Sequence, residues 1–309
     1  MRLGTRASAL AMTQAHWVAS QLRGHGEEVD IVTVRTHGDV STAPLTQIGG
    51  NGVFASALRT ALHEGEIDVA VHSLKDLPVA IEPGLHLAAI PTREDPRDVV
   101  ISTDDRRLDQ LAPGSTIGTG SPRRAGQLAA IAGHLDVVDI RGNVDSRVAK
   151  VRRGELDAVV LAAAGMRRLG RHAEISHTLE MTQMLPAPGQ GALAIECRDD
   201  ESATSTQDTA VHDACSRLDD PQTRDCVTAE RAMLARLEAG CTAPVGAYAT
   251  AQPTGGYQLT GWVALGGSAA RATATGNEPC DLGEELAERL LHQMSLEMPK
   301  SILVTERES

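Results

Sequence analysis

Aromatic side chains are scarce in this sequence. The 309 residues include one phenylalanine, two tryptophans and two tyrosines, whereas 41% of the chain is hydrophobic and 23% is charged. These proportions exclude a disordered or collagen-like chain and predict a core of leucine, valine, isoleucine and alanine. A chain of this length is expected to form two domains or three smaller ones, and to bury its core without disulfides.

Paired cysteines and long apolar runs are also missing. The five cysteines, at positions 197, 215, 226, 241 and 280, are odd in number and form no CxxC pair. Neither a disulfide framework nor a structural zinc site is therefore expected. The longest uncharged stretch, 240–270, contains seven glycines and two prolines, which does not fit a membrane span. With no signal peptide in view, we expect a cytoplasmic protein in a reducing compartment.

Basic residues are outnumbered by acidic ones, 29 to 41, but they are concentrated in one segment. The net charge of −12 argues against nonspecific binding to nucleic acid or to an anionic membrane. Residues 121–171 nevertheless hold ten basic and five acidic side chains. A local positive field of this kind suits a small anionic ligand better than a long polyanion.

The first two thirds of the sequence alternate strand and helix patterns, which predicts doubly wound α/β units. Two such units are expected, lobe 1 at 1–92 and 190–210 and lobe 2 at 97–186, with a Pro/Gly hinge running into a strand at 185–196. The predicted strands are 2–5, 29–34, 67–71, 85–90, 99–102, 115–119, 135–140 and 156–161. The predicted helices are 9–23, 53–64, one opening at Ser121-Pro122, one ending near Arg153 and one ending at Gly170.

The C-terminal part has a different pattern. A helix over about 223–239, two alternating strands and a last helix predict a small α+β domain spanning 214–309. The two strands are 258–265 and 270–275, and the last helix covers about 282–294.

Four polar clusters follow predicted strands, at 5–8, 72–76, 121–124 and 141–143. Ligands of open α/β sheets bind beyond the carboxyl ends of strands. Helix N-termini there attract anions, and arginine forks match carboxylate or phosphate. Facing clusters on two lobes thus predict a cleft for an anionic small molecule. The alternative is that these arginines form a solvated surface.

Two single residues are candidates for chemistry. Asp76 follows a buried strand beside Lys75, where a carboxylate in an arginine-rich cleft can stabilise a cation or transfer protons. It could instead cap a turn or pair with Lys75. Cys241 lies on a loop after a helix stop, where a thiol is accessible, although a free cysteine is more often a small buried hydrophobe.

Familiar catalytic templates are absent. The sequence has no GxxxxGK[ST] loop, no HExxH and no GxSxG, and its eleven histidines show no metal-ligand spacing. We therefore expect no metal site.

Ten stretches, in order over about 240 residues, resemble the porphobilinogen deaminase (hydroxymethylbilane synthase) family. They are LGTRASALA (3–11), THGDV (36–40), GGNGVF (49–54), DVAVHSLKDLP (68–78), REDPRDV (93–99), GTGSPRR (118–124), IRGNVDSR (140–147), LAAAGMRRLG (161–170), LPAPGQGALAIE (185–196) and TAERAMLARLEAGCTAPVG (228–246). Each stretch alone is a weak signal, whereas the ordered set is specific.

The resemblance implies a transferase of tetrapyrrole (porphyrin and haem) biosynthesis. It would condense four porphobilinogen molecules head to tail, with release of ammonia, on a covalent dipyrromethane primer held by a thioether. It also implies two periplasmic-binding-protein-like lobes plus the small C-terminal domain, and a monomer.

The residue roles that the resemblance implies are as follows. Asp76 would be catalytic, and Cys241 would carry the cofactor. Further cofactor contacts would be Ser73, Lys75, Ser121, Arg123, Arg124, Arg141, Gln190 and Gly191. Substrate contacts would be Arg6, Ser8, Gln14, Phe54, Arg147 and Arg168. Gln47 and Asn51 depart from the family, because many members carry lysine there.

Two other functions compete with this interpretation. A noncatalytic two-lobed binder of small anions would share the lobes and arginines but would need neither Asp76 nor Cys241. An acyl or phosphoryl transferase would need a nucleophile–base pair, and none is apparent in the sequence.

Overall fold

The computed structural model describes residues 1–34, 52–199, 206–237, 244–266 and 268–297, without the side chains of 52–54, 206–207 and 296–297. The strands are β1 (Arg2–Thr5), β2 (Asp30–Thr33), β3 (Val69–Ser73), β4 (Leu85–Ala89), β5 (Asp98–Ser102), β6 (Thr116–Gly118), β7 (Asp136–Val138), β8 (Ala158–Ala162), β9 (His177–Thr178), β10 (Leu193–Arg198), β11 (Val245–Ala251), β12 (Tyr257–Leu265) and β13 (Ser268–Gly276). The helices are α1 (Ala9–Gly24), α2 (Gly52–His63), α3 (Pro122–Ile131), α4 (Val144–Arg152), α5 (Ala163–Arg168), α6 (Thr206–Ser216), α7 (Pro221–Arg236) and α8 (Pro279–Glu297).

Lobe 1 is a five-stranded sheet in the order β2-β1-β3-β10-β4. Its first three strands are parallel, whereas β10 runs antiparallel to β3 and β4. The chain returns to this sheet after building lobe 2, so β10 enters from the opposite end. The return predicted from the hinge pattern is confirmed, and the lobe has a mixed sheet. Helices α1 and α6 pack with the apolar side chains of one face, and α2 packs with those of the other.

Lobe 2 repeats this plan in the order β7-β6-β8-β5-β9. Strands β6, β7 and β8 are parallel, and β5, the first strand after the chain leaves lobe 1, is antiparallel to β8. Leucines and valines from both faces form two separate core clusters, one beneath α3 and one beneath α4 and α5. The α/β class expected for both lobes is therefore confirmed.

The C-terminal unit pairs helices α7 and α8 with an antiparallel sheet, β11-β12-β13. The sequence analysis predicted two strands here and missed β11. It also missed α6, which adds Val211, Ala214 and Cys215 to the lobe 1 core. The α+β class is confirmed, while the exact boundaries of the three units stay a prediction.

Local capping explains where the site-forming helices begin. The Ser8 hydroxyl accepts a hydrogen bond from the Ala11 amide at the start of α1, and Ser121 accepts one from the Arg124 amide at the start of α3. Pro122 occupies the first turn of α3, where its missing N–H costs nothing. Both caps follow short strands, so each strand-to-helix loop lies at a sheet edge as expected. No helix in the described ranges is long and apolar enough to cross a membrane.

Candidate functional site

Asp76 lies on a single 3-10 turn, Leu74–Asp76, at the carboxyl end of β3. Strand β3 is buried, which fixes the turn at the edge of the lobe 1 sheet. The half-buried Asp76 lines a cavity of about 90 Å³ together with Arg6, Ser8, Gln14 and Ser73. The structure therefore brings five predicted site residues to one place.

Gln14 and Ser73 connect two walls of this cavity. Gln14 is buried on α1, and its Nε2 donates to the Ser73 hydroxyl at 2.9 Å. Because the bond joins α1 to the end of β3, it fixes the α1 N-terminus beside the turn that carries Asp76. The helix thereby presents its N-terminal amides at the cavity, where they favour an anion.

A second group of predicted residues surrounds the buried carboxylate of Asp98. Its Oδ1 accepts from the Arg124 Nε at 3.1 Å, the Arg124 Nη2 at 2.7 Å and the Gln190 Nε2 at 2.9 Å. Its Oδ2 accepts from the Arg123 Nη1 at 2.7 Å. Asp98 itself is 0% exposed. Ion pairs and hydrogen bonds from these arginines hold the pKa of the Asp98 carboxyl well below its usual range, against the opposing effect of burial.

Arg123 and Arg124 are too deeply buried to belong to a solvated surface, which was the alternative given by the sequence. Arg123 is 3% and Arg124 is 6% exposed, and they also donate to the carbonyls of Leu185 and Val160, respectively. The Arg123 Nε has no hydrogen-bond partner among the described residues. A buried guanidinium is costly unless it is paired, and Asp98 supplies only one negative charge for two. This group therefore retains positive charge.

Lys75 connects the two groups. Its ammonium donates to the Gln190 Oε1 at 3.3 Å, and it shares a turn with Asp76. Burial, reinforced by Arg123 and Arg124, lowers the pKa of Lys75 to about 8, although the carboxylates of Asp76 and Asp98 oppose the shift. At neutral pH the lysine is still a cation, so it adds to the positive charge beside Asp76.

Arg168 reaches across from α5 to the hinge. Its Nη2 donates to the Gly191 carbonyl at 2.7 Å, and burial lowers its pKa to about 10. Gly191 has φ +91°, and a Cβ there would lie 2.3 Å from the Glu94 carbonyl oxygen. Only glycine fits this close approach between the hinge and the segment that leads into β5.

Arg141 lies on the loop after β7, and Arg147 lies on the helix that follows it, α4. The Arg147 Nε donates to the Gly142 carbonyl at 2.8 Å. Burial, with repulsion from Arg124 and Arg141, lowers the pKa of Arg147 to about 10. Arg124 and Arg141 therefore both lie near Arg147. Arg141 itself is exposed.

The remaining basic residues of 121–171 have a different role. Five of the ten form ion pairs at the surface of lobe 2, so the composition of this segment overstates the charge available to a ligand. They are Lys150, Arg152, Arg153, Arg167 and Arg171.

Glu230 is a site-supporting residue that the sequence analysis missed. It is 0% exposed on α7, and Arg93 donates to its two oxygens at 2.6 and 3.0 Å. It also accepts from the Gly189 amide at 2.7 Å and the Ala249 amide at 2.9 Å. The C-terminal unit is thus bonded directly to the hinge. The pattern TAER gave no signal of this contact, because the partners are distant in sequence.

Arg231, the next residue on α7, holds the turn that carries Asp76. Its guanidinium donates to the carbonyls of Leu77 at 3.0 Å and Pro78 at 2.8 Å. Consecutive residues of one helix thus bind the hinge and the turn, which fixes the C-terminal unit against lobe 1.

Several predicted residues cannot be placed. Cys241, Gln47 and Asn51 lie outside the described residues, as does the side chain of Phe54, whose backbone belongs to α2. Cys197, Cys215 and Cys226 are buried, as expected for small hydrophobes, whereas Cys280 is exposed.

The comparisons with known proteins agree on one family. The family described as "Porphobilinogen deaminase, dipyromethane cofactor binding domain" matches residues 1–206, and "Porphobilinogen deaminase, C-terminal domain" matches residues 225–292. The chain is similar to "Porphobilinogen deaminase 1" of Streptomyces coelicolor, with 50% identity over 310 residues covering 95% of each chain. It is 48% identical to "Porphobilinogen deaminase" of Nocardia farcinica over 318 residues, covering 99% of this chain and 90% of that one.

Solved structures give a weaker likeness. A periplasmic substrate-binding protein of an ABC transporter from Coxiella burnetii aligns with 72% of this chain and 94% of its own, with TM-score 0.42 and 17% identity. A TM-score below 0.5 supports no conclusion about this chain.

Proposed function

The chain belongs to the porphobilinogen deaminase family, and on that premise we propose that it joins four porphobilinogen molecules head to tail into hydroxymethylbilane. Each condensation releases one ammonia. The observation that carries the proposal is the position of Asp76, a half-buried carboxylate next to a cluster of buried cations between the two lobes.

The donor set fits a dipyrromethane, whose rings carry acetate and propionate groups. Among the described residues, Arg123 and Arg124 share one carboxylate and the buried Arg123 Nε has no hydrogen-bond partner. Lys75 makes a long bond of 3.3 Å to Gln190. Such incompletely neutralised donors match an anionic group. We assign Ser73, Lys75, Ser121, Arg123, Arg124, Arg141, Gln190 and Gly191 to hold it, with Cys241 as the thioether anchor. When bound, the group supplies the nucleophilic ring carbon that starts the chain.

Asp76 is assigned the proton transfers and the stabilisation of charge. Loss of ammonia from porphobilinogen leaves an electron-poor azafulvenium cation, which a nearby carboxylate stabilises. An Asp76 oxygen can hold the proton that the departing amine needs, and can accept the proton that the nucleophilic ring carbon releases after the new bond forms. The proton given to the amine is thereby recovered, and each condensation releases one ammonia.

We assign three arginines to bind the carboxylates that accumulate as the pyrrole chain grows. Every added ring brings two carboxylates, so a cleft for the chain must supply cations in step with elongation. Arg6 lines the cavity, Arg168 binds the hinge at the Gly191 carbonyl, and Arg147 on α4 lies near Arg124. With Ser8, Gln14 and Phe54 they form the proposed substrate contacts.

Intact-mass measurement tests the anchor. After incubation with porphobilinogen, the wild-type protein should exceed its sequence mass by two pyrrole units, and Cys241→Ser should not. Cys280→Ser is the matched control, because it removes the exposed cysteine of α8. A wild-type mass equal to the sequence mass, with no ammonia released, would instead support a noncatalytic anion binder.

Replacing Asp76 tests the catalytic assignment. Asp76→Asn should keep its folded structure and lose turnover by about 10²–10⁴-fold, since it removes the proton-transfer group. Asp30→Asn, which neutralises an exposed carboxylate of the same lobe, should retain turnover. Equal turnover in the two variants would remove Asp76 from the mechanism.

We further infer that the protein is a monomer and works in the cytoplasm. Its three units are proposed to span 1–92 plus 190–210, 97–186 and 214–309.

A further inference from the structure

Asp98 has no assigned role, although three of the proposed cofactor contacts donate hydrogen bonds to it and a fourth is linked to it through one of them. Arg123, Arg124 and Gln190 donate to its oxygens, and Lys75 is one bond further away through Gln190. A fully buried carboxylate with this number of charged partners is too costly to be incidental to the fold. The question is what the arrangement does for the residues around it.

The first consequence is orientation of the arginines. Arg124 meets one oxygen through two of its nitrogens, and Arg123 meets the other oxygen. A guanidinium bonded in this way loses the rotational freedom of a long side chain. Its remaining N–H groups then point in fixed directions, which a planar carboxylate ligand requires.

The second consequence concerns Gln190. Its Nε2 donates to Asp98 at 2.9 Å and to the Pro96 carbonyl at 2.7 Å, so both amide hydrogens are committed. The amide oxygen is therefore turned towards Lys75. Through this chain of bonds, the carboxylate on β5 determines where the ammonium of Lys75 stands relative to Asp76.

We propose that Asp98 is a positioning residue for the condensation, which orients Arg123 and Arg124 towards the carboxylates of the pyrrole chain and, through Gln190, places Lys75 beside Asp76. The proposal rests on the proposed function, because it takes the roles of these side chains from there.

The pKa of Lys75 gives a readout that a purely structural role of Asp98 would not change. The groups facing Lys75 are Asp76 on its own turn, Arg123 and Arg124 on α3, and Asp98 on β5. Asp98 opposes the two arginines. Neutralising it should therefore lower the pKa of Lys75 further, by about half a unit or more for a unit charge removed at close range.

The test compares Asp98→Asn with Asp157→Asn in the full-length protein. Asp157 is a matched control, because it is a half-buried carboxylate of lobe 2 that accepts from the amide and hydroxyl of Thr116 and lies outside the proposed site. Trace labelling of lysines with acetic anhydride across a pH series, read by peptide mass, gives the titration midpoint of Lys75. Intact mass gives the fraction of chains that carry the dipyrrole, and steady-state kinetics gives kcat and KM.

Asp98→Asn should lower the Lys75 midpoint, reduce the dipyrrole-bearing fraction and lower kcat about tenfold or more, whereas Asp157→Asn should change none of them. Equal midpoints and equal kcat in two folded variants would overturn the proposal. If Asp98→Asn does not fold, Gln190→Met decides, since it keeps both arginine pairs but cuts the link to Lys75. A kcat in Gln190→Met equal to that of Asp157→Asn would also overturn it. A wild-type protein that releases no ammonia would refute the proposed function, and the labelling midpoints would still report on Asp98.

Discussion

Replacing Glu230 with glutamine is expected to weaken the contact between the C-terminal unit and the hinge, and so to destabilise the protein. The carboxylate accepts four hydrogen bonds, two from Arg93 and one each from the Gly189 and Ala249 amides. Glutamine has the same shape but a single acceptor oxygen and two donor hydrogens. At least one of the present donors would then face an N–H group, and the Arg93 cation, with its side chain 10% exposed, would lose its counter-charge.

The size of the effect follows from burial. Removing one partner of a buried ion pair costs about 3–5 kcal/mol, because the other charge stays desolvated and unpaired. A folded domain is stable by only about 5–15 kcal/mol, so this is a large fraction of the total. For a unit of about 100 residues, 1 kcal/mol corresponds to about 4–8 °C, so the unfolding temperature should fall by about 12 °C or more.

Thermal and urea unfolding measure this loss, with Glu288→Gln as the control. Glu288 pairs with Arg236 at 3.1 Å in the same unit, but its side chain is 62% exposed, and such surface pairs contribute about 0–1 kcal/mol. Glu230→Gln should therefore be destabilised several times more than Glu288→Gln. If Glu230→Gln unfolds at the same temperature and urea concentration as Glu288→Gln, the contacts of Glu230 add no net stability and the reasoning fails.

Two further predictions concern the hinge and the lysine. Gly191→Ala should destabilise the protein by about 1–3 kcal/mol, because it forces an L residue to φ +91° and drives its Cβ against the Glu94 carbonyl. Gly154→Ala, at φ +71° with open space around it, should cost less, and equal unfolding midpoints would refute the steric argument. Since Lys75 is a cation below its pKa of about 8 and neutral above it, kcat/KM should fall as pH rises through that value. Lys75→Arg should hold the charge and remove this fall, and a fall that persists in that variant would belong to another group.

Local rules predicted the parts of the fold that depend on neighbouring residues. The alternation of strand and helix, and the helix start at Ser121-Pro122, are set within a few positions and were confirmed. Strand β11 was missed because its sequence VGAYATA is rich in alanine and glycine, which have little strand preference. Its conformation comes from seven consecutive residue pairs with β12, and this partner cannot be read from the segment itself.

The same limit applies to the site. Asp76 could be selected because it follows an apolar strand beside a lysine, a pattern contained in a few residues. Asp98 and Glu230 could not, because their partners lie up to 92 and 137 positions away, respectively. In sequence, a carboxylate at the edge of an apolar segment is typical of an exposed side chain. Only the folded chain shows that two arginines reach Asp98 and one reaches Glu230.

These two buried carboxylates also constrain how the molecule moves. Asp98, on lobe 2, binds the side chain of Gln190, and Glu230, on the C-terminal unit, binds the amide of the preceding Gly189. Adjacent hinge residues are thus held from two different units. A rotation of lobe 2 about this hinge must therefore break the bond between Asp98 and Gln190, strain the bond between Glu230 and Gly189, or carry the C-terminal unit along. Since breaking the first bond also frees Gln190 from its orientation towards Lys75, opening of the lobes and placement of the cation beside Asp76 are mechanically linked.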